Sequence, residues 1–312
     1  MKPKIVLLDA DTLGSDANFS EFEALGELVT YPKTKPEQTI ERLAGADIVI
    51  TNKVLITKEV LEKTNLKLIC VSATGTNNID SEAAAAHGVP VKNVAGYSTK
   101  SVSQQAFATL LALLNDVRYY AEYGEKKWCE SEIFTHLNAP IDQISGKNFG
   151  IIGLGEIGRE VGRIAKAFGA NVCYYSTSGA HDDAEFKRVD LETMLKECDI
   201  ITVHAPLNEK TKGLIGKDEI AKMKKGAVFM NFGRGGIADE SALAWAIDEM
   251  GLRVGLDVVE KEPINADNPL LGVKNKANLI LTPHIAWASV EARKLLISKI
   301  AGNIKEFLNA QI

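Results

Sequence analysis

Four polar residues stand where buried strands should end. The segment "GAVFMNFGRGGIADESAL" sets Arg234 between glycines just after an apolar run. "GLRVGLDVVEKEP" sets Asp257 and Glu262 after the next run, and "NLILTPHIAWAS" sets His284 after the last. An imidazole exchanges protons near neutral pH. A carboxylate beside it fixes which ring nitrogen carries the proton, and Glu262 suits that part. A guanidinium can grip a carboxylate through two hydrogen bonds and polarise the carbonyl next to it, which suits Arg234. Each residue also has a plainer reading. Arg234 could be a surface-loop cation, Glu262 part of a solvated turn before Pro263, and His284 a loop histidine after Pro283. Asp257 closes an apolar strand, a position that suggests contact with a ligand. His87 and His181 read as a helix end and a polar loop, and neither is assigned a role.

A second feature gives these groups something to act on. "FGIIGLGEIGREVGRIAKAFGANVCYYSTSG" reads as strand, glycine-rich turn, helix and second strand. Gly153, Gly155 and Gly158 fit G-x-G-x-x-G, with Glu156 and Ile157 between them. The first glycine permits a tight turn, the second lets a pyrophosphate approach the backbone, and the third lets helix and strand pack closely. The free N–H groups and positive end of the following helix would hold phosphate. Strand before and helix after are the context that a dinucleotide site requires. The second strand ends at Ser176-Thr177-Ser178, where an acidic residue would mark NAD and a nearby arginine NADP. Neither is there, and Lys187 and Arg188 lie further along. NAD(H) is favoured, with NADP(H) or dual use compatible. Hydride exchange with a nicotinamide needs a group that takes or gives the hydroxyl proton, and the cofactor carries the hard chemistry.

Elements must bring these residues together. From Gly150 onward, strands are predicted at 150–152, 171–175, 199–203, 227–231, 253–257 and 278–281, with helices starting near Gly155, Leu191, Lys217 and Glu240. Apolar strands that alternate with helices argue for a parallel sheet covered on both faces. Strand ends then share one edge, so Arg234, Asp257, Glu262 and His284 should converge beside the cofactor. The first hundred residues repeat the pattern. Ile5–Leu8, "ADIVITN", "LKLICV" and "VPVKNV" read as strands and "NFSEFEALGEL" as a helix. Asp80 should cap an alanine-rich helix that stops at His87-Gly88. Phe107, Leu110, Leu111, Leu114, Val117 and Ala121 predict one helix of more than 20 residues, a domain connector and a possible subunit interface. Ser101 and Gln104 are spaced as a capping box, with Ser98 or Thr99 the alternative cap. The C-terminal "SVEARKLLISKIAGNIKEFLNA" is another amphipathic helix.

The composition narrows the class. The chain has 312 residues, 46% of them apolar and 25% charged, and a net charge of -5. Two domains are the natural expectation at this length. No Lys/Arg run marks a nucleic-acid site. No apolar run approaches the roughly 20 residues needed to span a bilayer, so no membrane association is expected. Cys70, Cys129, Cys173 and Cys198 form no C-x-x-C pair and sit near no histidine cluster. Disulfides and metal are therefore not expected, which fits a reducing, cytoplasmic setting.

Taken together, "VSATGTNNID", "GIIGLGEIG", "HAPLNEKTKGLI", "NFGRGGIADESAL", "GLDVVEKEP" and "TPHIAW" resemble, in order and over essentially the whole chain, the D-isomer-specific 2-hydroxyacid dehydrogenases. "ITNKVLIT", "NVAGYSTKSVSQQAFATLL" and "TPHIAWAS" are most similar to the glycerate dehydrogenases, or hydroxypyruvate reductases. The resemblance implies an α/β fold of two Rossmann-like doubly wound parallel-sheet domains. A dinucleotide-binding domain at 99–285 would be inserted in a discontinuous substrate-binding domain at 1–98 and 286–312, with the reaction in the cleft between them. It explains why the glycine motif lies at mid-chain. It implies substrate binding and catalysis by Arg234, a histidine partner in Glu262, acid–base catalysis by His284, and a contact from Asp257 to the nicotinamide amide. His204 and Pro206 join the expected cofactor contacts, with Gly153, Gly155, Glu156, Ile157, Gly158 and Ser176. Ala73-Thr74-Gly75 resembles a loop that holds the substrate carboxylate through backbone N–H groups, with Asn52 and Lys53 beside it facing a hydroxymethyl group. The clear departure is Ser176, where NAD-specific members often carry Asp. A homodimer through the long helix is also implied.

The expected reaction is hydride transfer between NAD(P)H and a small 2-keto or 2-hydroxy acid of D configuration, foremost hydroxypyruvate and D-glycerate. Alternatives keep the fold and change the substrate to glyoxylate, another 2-keto acid or 3-phosphoglycerate. A formate dehydrogenase ranks low, because those carry Gln where this chain has Glu262. The alternative of another class is a non-catalytic dinucleotide-sensing protein, similar to the corepressors that share the fold.

Overall fold

The structure is a computed structural model that describes residues 2–179 and 182–310, so His181 lies outside the described residues. The chain divides into two compact units, Met1–Ser98 with Ala288–Ile312, and Thr99–Trp287.

The first unit is built on a five-stranded sheet. Its strands are β1 (Lys4–Leu7), β2 (Glu27–Thr30), β3 (Ile48–Thr51), β4 (Leu68–Val71) and β5 (Val91–Lys92), in the order β2-β1-β3-β4-β5. All pairings are parallel. The strands β3 and β4 are buried at every position, as a sheet covered on both faces requires. Asp80 caps the helix Ser81–Ala86 by accepting from the Ala83 N–H at 2.9 Å. His87 ends that helix with its Nδ1 2.8 Å from the Ala83 carbonyl, a structural part. The helix Val290–Asn309, capped by Ser289, returns to pack on β4. The helix expected over "NFSEFEALGEL" is shorter, Ser20–Leu25, and the chain then enters β2, an edge strand that lacks a buried residue.

The second unit holds a seven-stranded parallel sheet. Its strands are β6 (Asn148–Ile152), β7 (Asn171–Tyr175), β8 (Lys187–Arg188), β9 (Ile200–Val203), β10 (Val228–Asn231), β11 (Arg253–Leu256) and β12 (Leu279–Leu281). The order is β12-β11-β10-β9-β6-β7-β8, so strand succession reverses between β6 and β9. Side chains alternate between the faces. Phe149 and Ile151 enter one core with Phe107 and Leu110, whereas Ile152 enters the other with Met194 and Phe229. Sequence reading finds every strand here except β8, whose two residues are both exposed.

The long helix is in fact two. It runs from Thr99 to Leu114, breaks at Asn115-Asp116, and resumes from Val117 to Lys126. Asp116 sits in the left-handed region at φ 46°, which short Asx side chains tolerate. The Asn115 amide donates back to the Leu111 carbonyl at 3.0 Å and so competes with helix continuation. Ser101 does not begin the first helix, which starts at Thr99; its hydroxyl donates to the Ala286 carbonyl at 2.6 Å. Among the described residues no helix is long and apolar enough to cross a membrane. Cys70 and Cys198 are buried, Cys173 half-buried and Cys129 exposed.

Candidate active site

The strand register of the second unit builds the site. Tyr175, Ile152, Val203, Asn231, Leu256 and Leu281 form one row across the sheet. The residues one step past that row are Ser176, Gly153, His204, Phe232, Asp257 and Thr282. Four of the expected cofactor residues, Ser176, Gly153, His204 and Asp257, thus line the carboxyl edge of a single sheet, and Gly153 and His204 flank the point where strand order reverses. Ligands of open α/β sheets bind at that point.

The glycine turn has the shape a dinucleotide needs. Gly153 adopts φ +92°, and a Cβ there would lie 2.8 Å from the Ala205 Cα. A Cβ on Gly158 would lie 2.3 Å from the Gly153 carbonyl oxygen. A Cβ on Gly155 would meet nothing, so open space remains above the N-terminus of the helix Glu156–Ala167, which begins with Glu156 and Ile157. A cavity of about 760 Å³ opens here, lined by Gly153, Gly155, Arg159, Ser176, His204 and Pro206 among others. That is ample for a cofactor-sized ligand. Arg159 reaches the cavity but is ion-paired with Asp183. Lys210 and Asn208 also line it, and sequence reading passed both over. Lys187 and Arg188 form the exposed edge strand β8. His204 packs its ring parallel to Phe232 and places Nε2 3.1 Å from the Thr202 hydroxyl. Its Nδ1 is buried without a hydrogen-bond partner, and burial pulls the imidazole pKa down to about 3. The ring is therefore neutral at physiological pH.

Three residues past the row stand Arg234 and His284. Arg234 is exposed on the turn after β10. Asn231 shapes that turn: its amide donates to the Arg234 carbonyl at 2.8 Å and its oxygen accepts from the Gly233 N–H at 2.9 Å. The guanidinium donates to the neighbouring Gly233 carbonyl at 2.8 Å through one nitrogen. His284 has φ 54°, and its Nδ1 lies 2.7 Å from Glu262 Oε2. The second Glu262 oxygen accepts from the Val259 N–H at 3.3 Å. Both side chains are partly exposed, 26% for His284 and 32% for Glu262, so the pair can meet a ligand from solvent. With Nδ1 engaged, Nε2 is the nitrogen left to exchange a proton.

Asp257 stands at the same carboxyl edge, where its carboxylate is drawn into the chain that follows β12. It is only 3% exposed. Its carboxylate accepts from the Thr282 hydroxyl at 2.6 Å, the Ile285 N–H at 3.0 Å and the Ala286 N–H at 2.9 Å. Burial nonetheless raises its pKa. These bonds tie down the turn that carries His284, and the Asp257 carbonyl accepts from the His284 N–H at 2.9 Å. Thr282, two residues before His284, was not singled out from the sequence.

The expected substrate residues lie in the first unit, at the carboxyl edge of its own sheet. Asn52 and Lys53 follow β3, and Ala73, Thr74 and Gly75 follow β4. The Thr74 hydroxyl donates to the Val94 carbonyl at 3.0 Å, while the Asn93 amide donates to the Thr74 carbonyl at 2.6 Å. Among the described residues no cluster of three or more side chains could hold a metal ion.

Residues 107–286 match the model of the D-isomer specific 2-hydroxyacid dehydrogenase NAD binding domain. The chain is 40% identical to the hydroxypyruvate reductase of Blautia hydrogenotrophica over 98% of its length and 97% of the relative's. It is 37% identical to the glycerate dehydrogenase of Methylorubrum extorquens over 99% and 97% of the two chains. Among solved structures, an acyclic imino acid reductase in complex with NADPH and D-Arg superposes with a TM-score of 0.86 at 29% identity, covering 98% of this chain and 97% of that one. With the glycine turn, the carboxyl-edge cavity and the histidine–glutamate pair in place, these likenesses make the chain a member of the D-isomer specific 2-hydroxyacid dehydrogenases, a family of NAD(P)H-linked oxidoreductases.

Proposed function

We propose that the protein interconverts hydroxypyruvate and D-glycerate. The observation that carries the chemistry is the 2.7 Å pairing of His284 Nδ1 with Glu262. The observation that favours this substrate is full-length likeness to relatives named hydroxypyruvate reductase and glycerate dehydrogenase. Arg234 grips the substrate carboxylate and polarises the adjacent keto group. The Ala73-Thr74-Gly75 loop offers backbone N–H groups to the same carboxylate, and Asn52 and Lys53 meet the hydroxymethyl end. The glycine turn and helix N-terminus hold the pyrophosphate, and His204, Pro206 and Ser176 border the rest of the cofactor. When bound, the reduced nicotinamide supplies hydride to the keto carbon. His284 gives the Nε2 proton to the keto oxygen, and Glu262 holds the ring as its charge changes. The reverse direction uses the neutral ring as base.

Cofactor choice follows from the tip of β7. Ser176, Thr177 and Ser178 put no carboxylate at the strand tip itself, and the cavity wall adds the carboxylate of Glu209 beside the cation Lys210. NAD(H) remains the favoured cofactor and NADP(H) is accepted.

The working form we propose is a homodimer. The segment 117–141 is held together by its own contacts, with Tyr119 Oη 2.7 Å from His136 Nε2 and the His136 ring stacked on Tyr123. Yet it exposes Ile133 at 65%, Phe134 at 88% and Leu137 at 78%. Large apolar side chains left exposed within five residues of one segment call for a cover, and a second copy supplies one. The apolar residues of Thr99–Leu114 are largely buried, so the proposed seam lies on the second half of the predicted long helix and the segment after it. Cytoplasmic placement completes the proposal and rests on the cysteine pattern.

The test follows loss of reduced-nicotinamide absorbance with NADH and NADPH across hydroxypyruvate, glyoxylate, pyruvate and phosphohydroxypyruvate. A kcat/KM for hydroxypyruvate well above the others supports the assignment. A higher value for another keto acid moves the substrate and keeps the chemistry. No turnover on any would remove the catalytic reading.

A further inference from the structure

In the five-stranded sheet, strand succession reverses between β1 and β3. A carboxyl-edge crevice at such a point is where an open α/β sheet would take a ligand. Here the register sets Leu7 beside Ile50 and Ile50 beside Cys70, so two residues later Asp9, Asn52 and Ser72 share one row. Asp9 is only 5% exposed, and its carboxylate is directed at the chain leaving β3. The Asn52 N–H donates to its two oxygens at 3.0 and 2.9 Å, the Lys53 N–H to Oδ2 at 2.7 Å, and the Val54 N–H to Oδ2 at 3.4 Å. The Thr51 hydroxyl lies 3.3 Å from the same oxygen and accepts from the Val54 N–H at 3.0 Å.

Successive backbone N–H groups turned toward one point make a concave anion site. In this chain the anion is the protein's own side chain. The carboxylate compensates the N–H groups that the end of β3 leaves unpaired, and it fixes the curvature of the turn. That curvature decides how Asn52 and Lys53 present their side chains. Lys53 is exposed, whereas Asn52 is only 6% exposed and its carboxamide makes no hydrogen bond among the described residues, which leaves its polar head for a ligand that reaches the turn. In the sequence Asp9 directly follows the Ile5–Leu8 run, and nothing local marks it for a role.

We propose that Asp9 is a positioning residue for substrate specificity. It holds the Asn52-Lys53 turn in the geometry that meets the non-carboxylate end of the keto acid, and it touches neither substrate nor cofactor. The inference rests on the substrate role proposed for Asn52 and Lys53.

Asp9→Asn keeps the shape and replaces one accepting oxygen with an NH2 that faces backbone donors. It should raise KM for hydroxypyruvate about tenfold to a hundredfold, the scale on which a small misplacement acts. The NADH KM should not change, because the proposed cofactor contacts all lie within Thr99–Trp287. The thermal midpoint is measured alongside. Asn52→Ala and Lys53→Ala are assayed in parallel. A raised hydroxypyruvate KM in Asp9→Asn and in at least one of the other two, with cofactor KM held, supports the proposal. An unchanged KM in Asp9→Asn beside a raised KM in Asn52→Ala or Lys53→Ala overturns it and leaves the substrate reading intact. If Asn52→Ala and Lys53→Ala both bind substrate normally, the reading beneath it fails and the proposal with it. Loss of kcat, both KM values and stability together would mark Asp9 as a general fold residue and overturn the positioning role. If Asp9→Asn does not fold, Thr51→Val loosens the same turn with the carboxylate retained. A several-fold rise in hydroxypyruvate KM alone is then expected, and no rise overturns the proposal.

Discussion

His284 and Glu262 are joined by a 2.7 Å contact between Nδ1 and Oε2, and Glu262 is itself held by the Val259 N–H at 3.3 Å. The glutamate therefore sets both the orientation and the tautomer of the histidine. Glu262→Gln keeps the size and an acceptor but removes the charge that faces a protonated ring. It also lets the amide present its NH2 to Nδ1, which would favour the wrong tautomer. We expect kcat to fall about tenfold to a hundredfold with little change in cofactor KM. Steady-state kinetics at saturating NADH check this, and a kcat within twofold of the parent would show that the pairing is structural only.

Replacing the acid itself should cost more. His284→Ala removes the proton donor and leaves Arg234 and the cofactor cavity intact. Turnover should drop by about two to four orders of magnitude, the usual worth of general acid–base catalysis. Binding of NADH, read by fluorescence titration, should stay as it was. Near-normal turnover in this variant would mean that another group moves the proton.

Ser176 lies one residue past the end of β7, on the wall of the 760 Å³ cavity. A carboxylate there would accept from ribose hydroxyls and repel a 2′-phosphate. Ser176→Asp should lower kcat/KM with NADPH about tenfold or more, since roughly 1.4 kcal/mol of repulsion suffices for a factor of ten. The value with NADH should hold or rise. Parallel loss with both cofactors would place Ser176 outside the cofactor's reach.

Much of this site can be read from the chain because its chemistry sits at strand ends. Arg234 and His284 each follow an apolar run, and the parallel register then aligns them without further information. The glycine turn is legible for the same local reason. What escapes is set by partners distant in sequence. Asp257 reads from the sequence as a polar strand end, and the three hydrogen bonds it accepts from Thr282, Ile285 and Ala286 come from residues 25 or more positions away. Asp9 looks like the end of a strand, and only the pairing of β1 with β3 brings it to Asn52. The apolar stripe runs on from Leu114 through Val117 and Ala121, so periodicity alone cannot see the break at Asp116. Strands β2 and β8 lie at sheet edges, where few residues are buried and the apolar signal fades.

Phe134 is 88% exposed and Leu137 78%, although the residues around them are ordered by the Tyr119–His136 and Tyr120–Ala139 hydrogen bonds. Phe134→Asp places a charge in the proposed seam and disturbs little else. Sedimentation velocity should show the parent as a dimer and the variant shifted toward monomer at micromolar concentration. An unshifted dimer would move the seam elsewhere, and a monomeric parent would end the proposal.

His204 gives the fold a pH dependence of known sign. Burial lowers its pKa from 6.5 to about 3 in the folded state. Between those values the unfolded ring binds a proton that the folded ring refuses, so stability rises with pH across this window. The contribution is fully present above about pH 6.5 and is lost as pH falls toward 3. The loss from this one group is at most about 1.4 kcal/mol per pH unit. His204→Gln cannot take up that proton. Thermal midpoints of the cofactor-free protein and the variant, measured from pH 7.5 down to 4.5, should therefore diverge, with the parent falling more steeply. Parallel curves would mean that the ring is protonated in the folded state as readily as in the unfolded one, and that Nδ1 meets water or a partner in solution.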